Sequence, residues 1–141
     1  MHLEASITVS APRGKVYAAY TDFESMPKWA KDIAAVRIAK TEGDAVYLES
    51  ESALSASRKA ARKLKLSQPR MVECESETRF TRTKRTIAFE EVSEGTKLTA
   101  TLDVRVKRPW GSILSTREAD EFEPSIQEEL ASFARYVEGL P

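Results

Sequence analysis

The chain of 141 residues has one cysteine, one histidine and five glycines. A lone Cys74 cannot close an internal disulfide, so nothing in the sequence demands an oxidising compartment. With one cysteine and one histidine, a zinc site would rest almost wholly on carboxylates, a ligand set zinc rarely takes. A Ser-His-Asp triad would have to use His2, which sits at the terminus. The glycines are scattered turn residues, and no GxGxxG, P-loop or GxSxG pattern occurs. The reading is therefore of no metal and no cofactor. Neither sign of charge is in excess. Lys plus Arg number 22 and Asp plus Glu number 22, so the net charge is zero and no global field favours nucleic acid or an anionic membrane. No apolar run approaches the roughly 20 residues that span a bilayer. The opening MHLEASITVSAP lacks the basic start and apolar stretch of a secretory signal. The expectation is a cytoplasmic protein with no membrane span and no nucleic-acid partner.

Aliphatic and aromatic residues make up 41% of the chain and charged residues 31%, a globular balance. The length suits one domain over residues 1–141. Leu3, Ala5, Ile7 and Val9 alternate with polar neighbours, the period of a strand with one buried face. Ser10 offers an N-cap and Pro12 a first helical turn. Val16, Tyr17, Ala19, Tyr20 and Phe23 follow at helical spacing, which predicts a helix from 12 to about 21. A second short helix is expected across Glu24 to Ala30, with Pro27 in its first turn.

A strand series follows over Ile33–Lys40, Ala45 to about Leu54, Ser57–Ser67, Arg70–Thr78 and Phe80–Val92. Turn chemistry at Glu42-Gly43-Asp44, Gln68-Pro69 and Ser93-Glu94-Gly95 separates them. The last strand gives the clearest alternation, with Leu98, Ala100, Leu102, Val104 and Val106 on one side. One dry and one wet face mark an antiparallel sheet. Ile126, Leu130, Phe133, Ala134 and Val137 recur at three and four residues in a helical tail closed by Gly139. Pro124 either starts this helix or kinks a longer one beginning near Trp110. The acids Glu118, Asp120, Glu121, Glu123, Glu128 and Glu129 are read as lying around its N-terminus, where the helix dipole favours them.

Strands joined by hairpins form a meander. The final helix must bury its apolar stripe against the concave side of that sheet. The fold class is thus α+β: a curved antiparallel sheet of about six or seven strands around a long C-terminal helix, with two short helices after the first strand. A strongly bent sheet does not close tightly on one helix and tends to leave a cavity.

The stretch ITVSAPRGKVYAAYTDFESMPKWAKDIAAVRI resembles the START-related polyketide cyclase and dehydrase superfamily, also called the helix-grip or birch-allergen-like fold. The pattern is a strand, then Ala11-Pro12 with Val16-Tyr17, then Thr21-Asp22-Phe23, Pro27-x-Trp29 and Val36. FEEVSEGTKLTATLDV resembles the family's penultimate hairpin, and Pro109-x-Gly111 the break before its last helix. The resemblance covers nearly the whole chain. It implies a cavity between sheet and helix that binds lipids, quinones, polyketides or other apolar molecules. Some members cyclise or dehydrate polyketides, and many only carry their ligand.

The expected lining is Phe23, Trp29, Leu48, Leu64, Ala88, Leu102, Val104, Leu130 and Phe133, apolar walls with a few polar groups for selectivity. Those polar groups are Arg62, with Arg58 or Thr86. Alternation over Ser57–Leu66 puts Arg58, Ala60, Arg62, Leu64 and Leu66 on one face. Two readings stay open for the arginines. They point into the cavity, paired with Glu73, Glu75, Glu49 or a ligand oxyanion, or the sheet is open there and both reach water. Trp29 is a lid or a core anchor. Trp110 is a plug between loop and helix, or a further ligand contact. Cys74 is a buried inert thiol unless a cation such as Arg58 or Arg62 shares its face. The run Arg79, Arg82, Lys84 and Arg85 is read as a solvated sheet face with cross-strand acidic partners. Three functions follow: a carrier of a small hydrophobic ligand, as a monomer or homodimer; a cyclase or aromatase using the same cavity, with Arg62 stabilising an enolate; or a protein-interaction module with a collapsed cavity.

Overall fold

The computed structural model describes residues 2–31, 33–52, 59–77, 81–106 and 113–141, with only the backbone course for 52, 59, 60, 76, 77, 81, 106 and 113–125. Arg58 and Trp110 lie outside the described residues. The elements are β1 (His2–Val9), α1 (Arg13–Thr21), a 3-10 segment (Phe23–Lys28), β2 (Ile33–Glu42), β3 (Ala45–Ser52), β4 (Lys59–Ser67), β5 (Met71–Glu77), β6 (Thr81–Val92), β7 (Gly95–Val106) and α2 (Ile113–Glu138). All seven strands form one antiparallel sheet in the order β1-β7-β6-β5-β4-β3-β2. Strands β2 to β7 follow chain order, as hairpins require. Only β1 is displaced, joining the far edge beside β7.

Several local expectations are corrected. Pro12, not Ser10, occupies the N-cap of α1, with no side-chain capping bond. Ser10 instead donates its backbone N–H to Glu138 Oε2 at 2.8 Å. The second short helix is a 3-10 segment that ends at Lys28, because Pro27 lies within it and its fixed ring does not suit a longer α-helix. Pro124 does not start the last helix, which runs through it from Ile113. Glu128 and Glu129 therefore lie well past its first turns, beyond the reach of the helix dipole. Each has another partner. Lys31 Nζ donates to Glu128 Oε1 at 2.8 Å, and Arg85 Nη2 donates to Glu129 Oε1 at 3.0 Å.

The sheet's inner face meets α1, the 3-10 segment and the C-terminal half of α2. Five ring contacts centre this packing. Tyr17 and Tyr20 lie edge-on to Phe89 at 5.2 and 5.7 Å. Phe133 of α2 meets Tyr20 at 5.5 Å and Trp29 at 4.8 Å, and Tyr20 meets Trp29 at 5.8 Å. Such tilted and edge-to-face pairs add to the stabilisation from buried area. Ser132 Oγ donates to the Trp29 carbonyl at 2.7 Å, pinning α2 to the 3-10 segment.

The loop after β1 is held equally tightly. Thr96, fully buried, donates through Oγ1 to the Ala11 carbonyl at 2.8 Å. Gly95 beside it has φ +139°, and a Cβ there would stand 2.2 Å from the Val9 carbonyl oxygen. Only glycine lets the β6–β7 turn and β1 approach this closely.

Candidate functional site

Successive side chains on a strand point to opposite faces, so the register assigns every inner position. One inner row crosses the sheet through Val72, Ile87, Ala100 and Ala5. It is closed: Val72 and Ile87 are 2% exposed and Ala100 is 0% exposed. The next inner row, two residues along each strand, runs through Leu64, Cys74, Arg85, Leu102 and Leu3. Here Cys74, Arg85, Leu102 and Leu3 are only half-buried. Strands β5, β6 and β7 all have neighbours on both sides, so the exposure of these side chains is not that of a sheet edge. The inner face is thus sealed along the first row and half-exposed along the second, its open part, while one step further along β7 Val104 is again 2% exposed.

Arg85 is the chemical centre of the open end. Its contact with Glu129 joins β6 to α2, and the two side chains are 27% and 28% exposed. The contact uses one guanidinium nitrogen, and Arg85 Nε is buried with no hydrogen-bond partner. Burial works against the Arg85 charge. Glu129, helped by Tyr20, outweighs it and holds the group above its ordinary value. Burial pushes the Tyr20 phenol up to about 12, against the pull of Arg85. Burial also pushes the Cys74 thiol up, partly opposed by Arg62 and Arg85. At neutral pH both groups are therefore protonated and neither is a base or a ready nucleophile. Trp29 Nε1, within the aromatic cluster, is a further buried donor without a partner.

The expected lining divides into three groups. Phe23, Trp29, Leu48, Leu64, Val104, Leu130 and Phe133 are buried, and Leu102 is half-buried on the inner face. Arg62 stands opposite Leu48 on the inner face, is exposed, and acts on Cys74 and Tyr20 through its charge. It reaches water at the rim of the open end. Thr86 and Ala88 are misassigned. They pair with Thr101 and Thr99 and alternate with buried Ile87 and Phe89, so they stand on the outer face. The same alternation overturns the solvated reading of Arg85. Arg82 and Lys84 do face outward, but Arg85 shares the side of Ile87 and Phe89.

A concavity of about 620 Å³ lies away from this row. It sits between α1 and the β2–β3 and β4–β5 turns, and Tyr17, Thr21, Asp22, Asp44 and Gln68 are among its walls. Among the described residues no three His, Cys, Asp or Glu side chains come together as metal ligands. Nor is any helix of the described residues long and apolar enough to cross a membrane.

A family model described as polyketide cyclase / dehydrase and lipid transport matches residues 1–138. No curated protein sequence matches this one. Among solved structures, the Zhui aromatase/cyclase from Streptomyces sp. R1128 superposes with a TM-score of 0.78 at 13% identity, over 98% of this chain and 93% of that one. A START superfamily protein from Mycobacterium smegmatis gives 0.75 at 17% identity, over 99% of both chains. A STAR-related lipid transfer protein from Xanthomonas axonopodis gives 0.72 at 16% identity, over 97% of this chain and 85% of that one. At such identities the likeness is one of fold.

Proposed function

We propose that this chain, which belongs to the polyketide cyclase / dehydrase and lipid transport family, binds a small hydrophobic molecule between the inner face of its sheet and α2. The observation that carries the reading is the half-exposed row Cys74, Arg85, Leu102 on strands with neighbours on both sides. A folded domain closes such positions unless something else is meant to fill them. Apolar walls with few polar groups are the usual makeup of a small-molecule site. Arg85 is the polar anchor, since its Nε has no partner among the described residues and buried donors are normally satisfied.

An enzymatic cyclisation is the second reading, favoured by that same guanidinium, which could polarise a ligand carbonyl. The described groups around it supply no base: Tyr20 and Cys74 hold their protons, and Glu129 is engaged by Arg85. Carriage therefore fits the chemistry of the site better than turnover.

Native mass spectrometry of protein from its own host, with extraction of bound compounds, tests the reading. A stoichiometric apolar compound is expected. In parallel, naphthols, quinones and fatty acids are titrated against thermal unfolding. A ligand at a hundred times its Kd stabilises by about 2.7 kcal/mol. Arg85→Gln should weaken that response, whereas a molecule seated against α1 would not feel the change. A clean apo mass with no stabilisation by any of the panel sinks the reading and favours a protein-partner role.

A further inference from the structure

Resting on that reading, we infer that Glu129 sets the charge preference of the interior site: it neutralises Arg85 in place, so Arg85 accepts a neutral ligand oxygen, a ketone or phenol, and not a carboxylate. The geometry carries the inference. Guanidinium and carboxylate normally meet as a two-pronged fork. Here the contact is single, Nη2 to Oε1 at 3.0 Å, and Nε is left without an acceptor. Donor capacity remains, but net charge does not.

Among the described residues, the surrounding groups do not restore a charge. Tyr20 and Cys74 are the other titratable side chains that act on Arg85, and both are neutral at pH 7. Arg62 is positive but exposed at the rim, where solvent screens it. An incoming carboxylate would bring a second negative charge beside Glu129, in a partly buried place where charge repulsion is felt more than in water. It could bind only by displacing Glu129 from Arg85, leaving one carboxylate unpaired. A carbonyl or phenol oxygen fills the free donor without that cost. Glu129 is thus a specificity-determining residue, and it lies beside Leu130 on the helix that covers the site.

The test compares two probes of one ring skeleton, 2-acetylnaphthalene and 2-naphthoate, by calorimetry at pH 7.5. The wild-type protein should bind the ketone more tightly by about tenfold or more, a difference of about 1.4 kcal/mol. Glu129→Gln keeps the shape and removes the charge, and should bring the ratio to about one or invert it. Arg85→Gln leaves Glu129 uncompensated and should move the ratio the other way, further against the carboxylate. A purely structural role would not move the two variants in opposite directions. Urea midpoints establish that each variant is folded, and either one alone is sufficient to read a direction. A wild-type preference for naphthoate, or a ratio unchanged in the folded variants, overturns the inference while leaving ligand binding intact. Failure of both probes to bind the folded wild-type protein overturns the interior-binding reading itself.

Discussion

Ile87 and Arg85 stand two residues apart on one strand and one face, yet one is sealed in the core and the other meets solvent. At the Ile87 end, the rings of Tyr17, Tyr20, Phe89, Trp29 and Phe133 interlock and α2 lies pinned through Ser132. At the Arg85 end, the same sheet presents a half-buried row whose charge is met, among the described residues, by Glu129 of α2. The two ends divide the tasks of the fold. Interlocked rings hold the helix against the sheet, while the neighbouring row is left half-buried.

That division is broken most severely from the packed end. Phe133→Ala removes a ring that contacts both Tyr20 and Trp29, and should cost about 3–5 kcal/mol in urea unfolding. Leu102→Ala, on the half-buried row, should cost less than about 2 kcal/mol. Equal losses at the two positions would mean that the open end is packed as firmly as the closed one. Gly95→Ala is next in size. Its added methyl would meet the Val9 carbonyl oxygen in a left-handed backbone region, at about 1–3 kcal/mol. A neutral result there would show that the turn shifts freely and that the closed end is less rigid than its contacts imply.

Cys74 sharpens the comparison by reporting on the open end from inside. Burial raises its thiol above the ordinary range, so at pH 8 little of it is thiolate. Alkylation by iodoacetamide should be slower in the folded protein than in urea, and its rate should keep rising above the pH at which a free thiol levels off. A saturating hydrophobic ligand should slow it further. Rates that ignore ligand would move the binding site away from the Cys74–Arg85 row.

Much of this architecture could be read from residue order. The alternation of Leu98, Ala100, Leu102 and Val104 gave a strand with one dry face, and Ile126, Leu130, Phe133 and Val137 gave the helix stripe that covers it. The polar centre was less legible, for two physical reasons. In β6, Lys84 and Arg85 are adjacent and of one charge, so composition suggests one wet surface while the backbone sends them to opposite faces. Counting back by twos from Phe89 and Ile87 reaches Arg85, and that period was the available signal. Glu129 lies in a run of acids whose composition suits a helix N-terminus. Placing that terminus depended on Pro124, which the helix passes through. Thr86 and Ala88 stand on the outer face because the phase of β6 is set by Ile87 and Phe89. Arg62 stands on the face that alternation gives it and reaches water, one of the two outcomes the sequence leaves open.

The smallest expected effect lies on the outer surface of the open end. His2 Nδ1 and Asp103 Oδ1 are 2.7 Å apart, joining the start of β1 to β7 where the ladder carries Leu3 and Leu102 on its inner side. The hydrogen bond and charge of Asp103 raise the His2 imidazole above 6.5, and the hydrogen bond from His2 lowers Asp103 below 3.8. A raised histidine contributes fully below its unfolded value and loses that contribution as pH climbs through its folded one. A lowered aspartate contributes above its unfolded value and loses it as pH falls through its folded one. The attraction is therefore complete between pH 3.8 and 6.5 and fades on either side. Both groups are exposed, so the effect should appear locally, as slower amide exchange at the start of β1 at pH 6 than at pH 8, after correction for intrinsic rates. The His2 imidazole should titrate above 6.5 by NMR and return to its ordinary value in Asp103→Asn. An unshifted imidazole in the wild-type protein would show that the His2–Asp103 pair does not fasten this edge from outside.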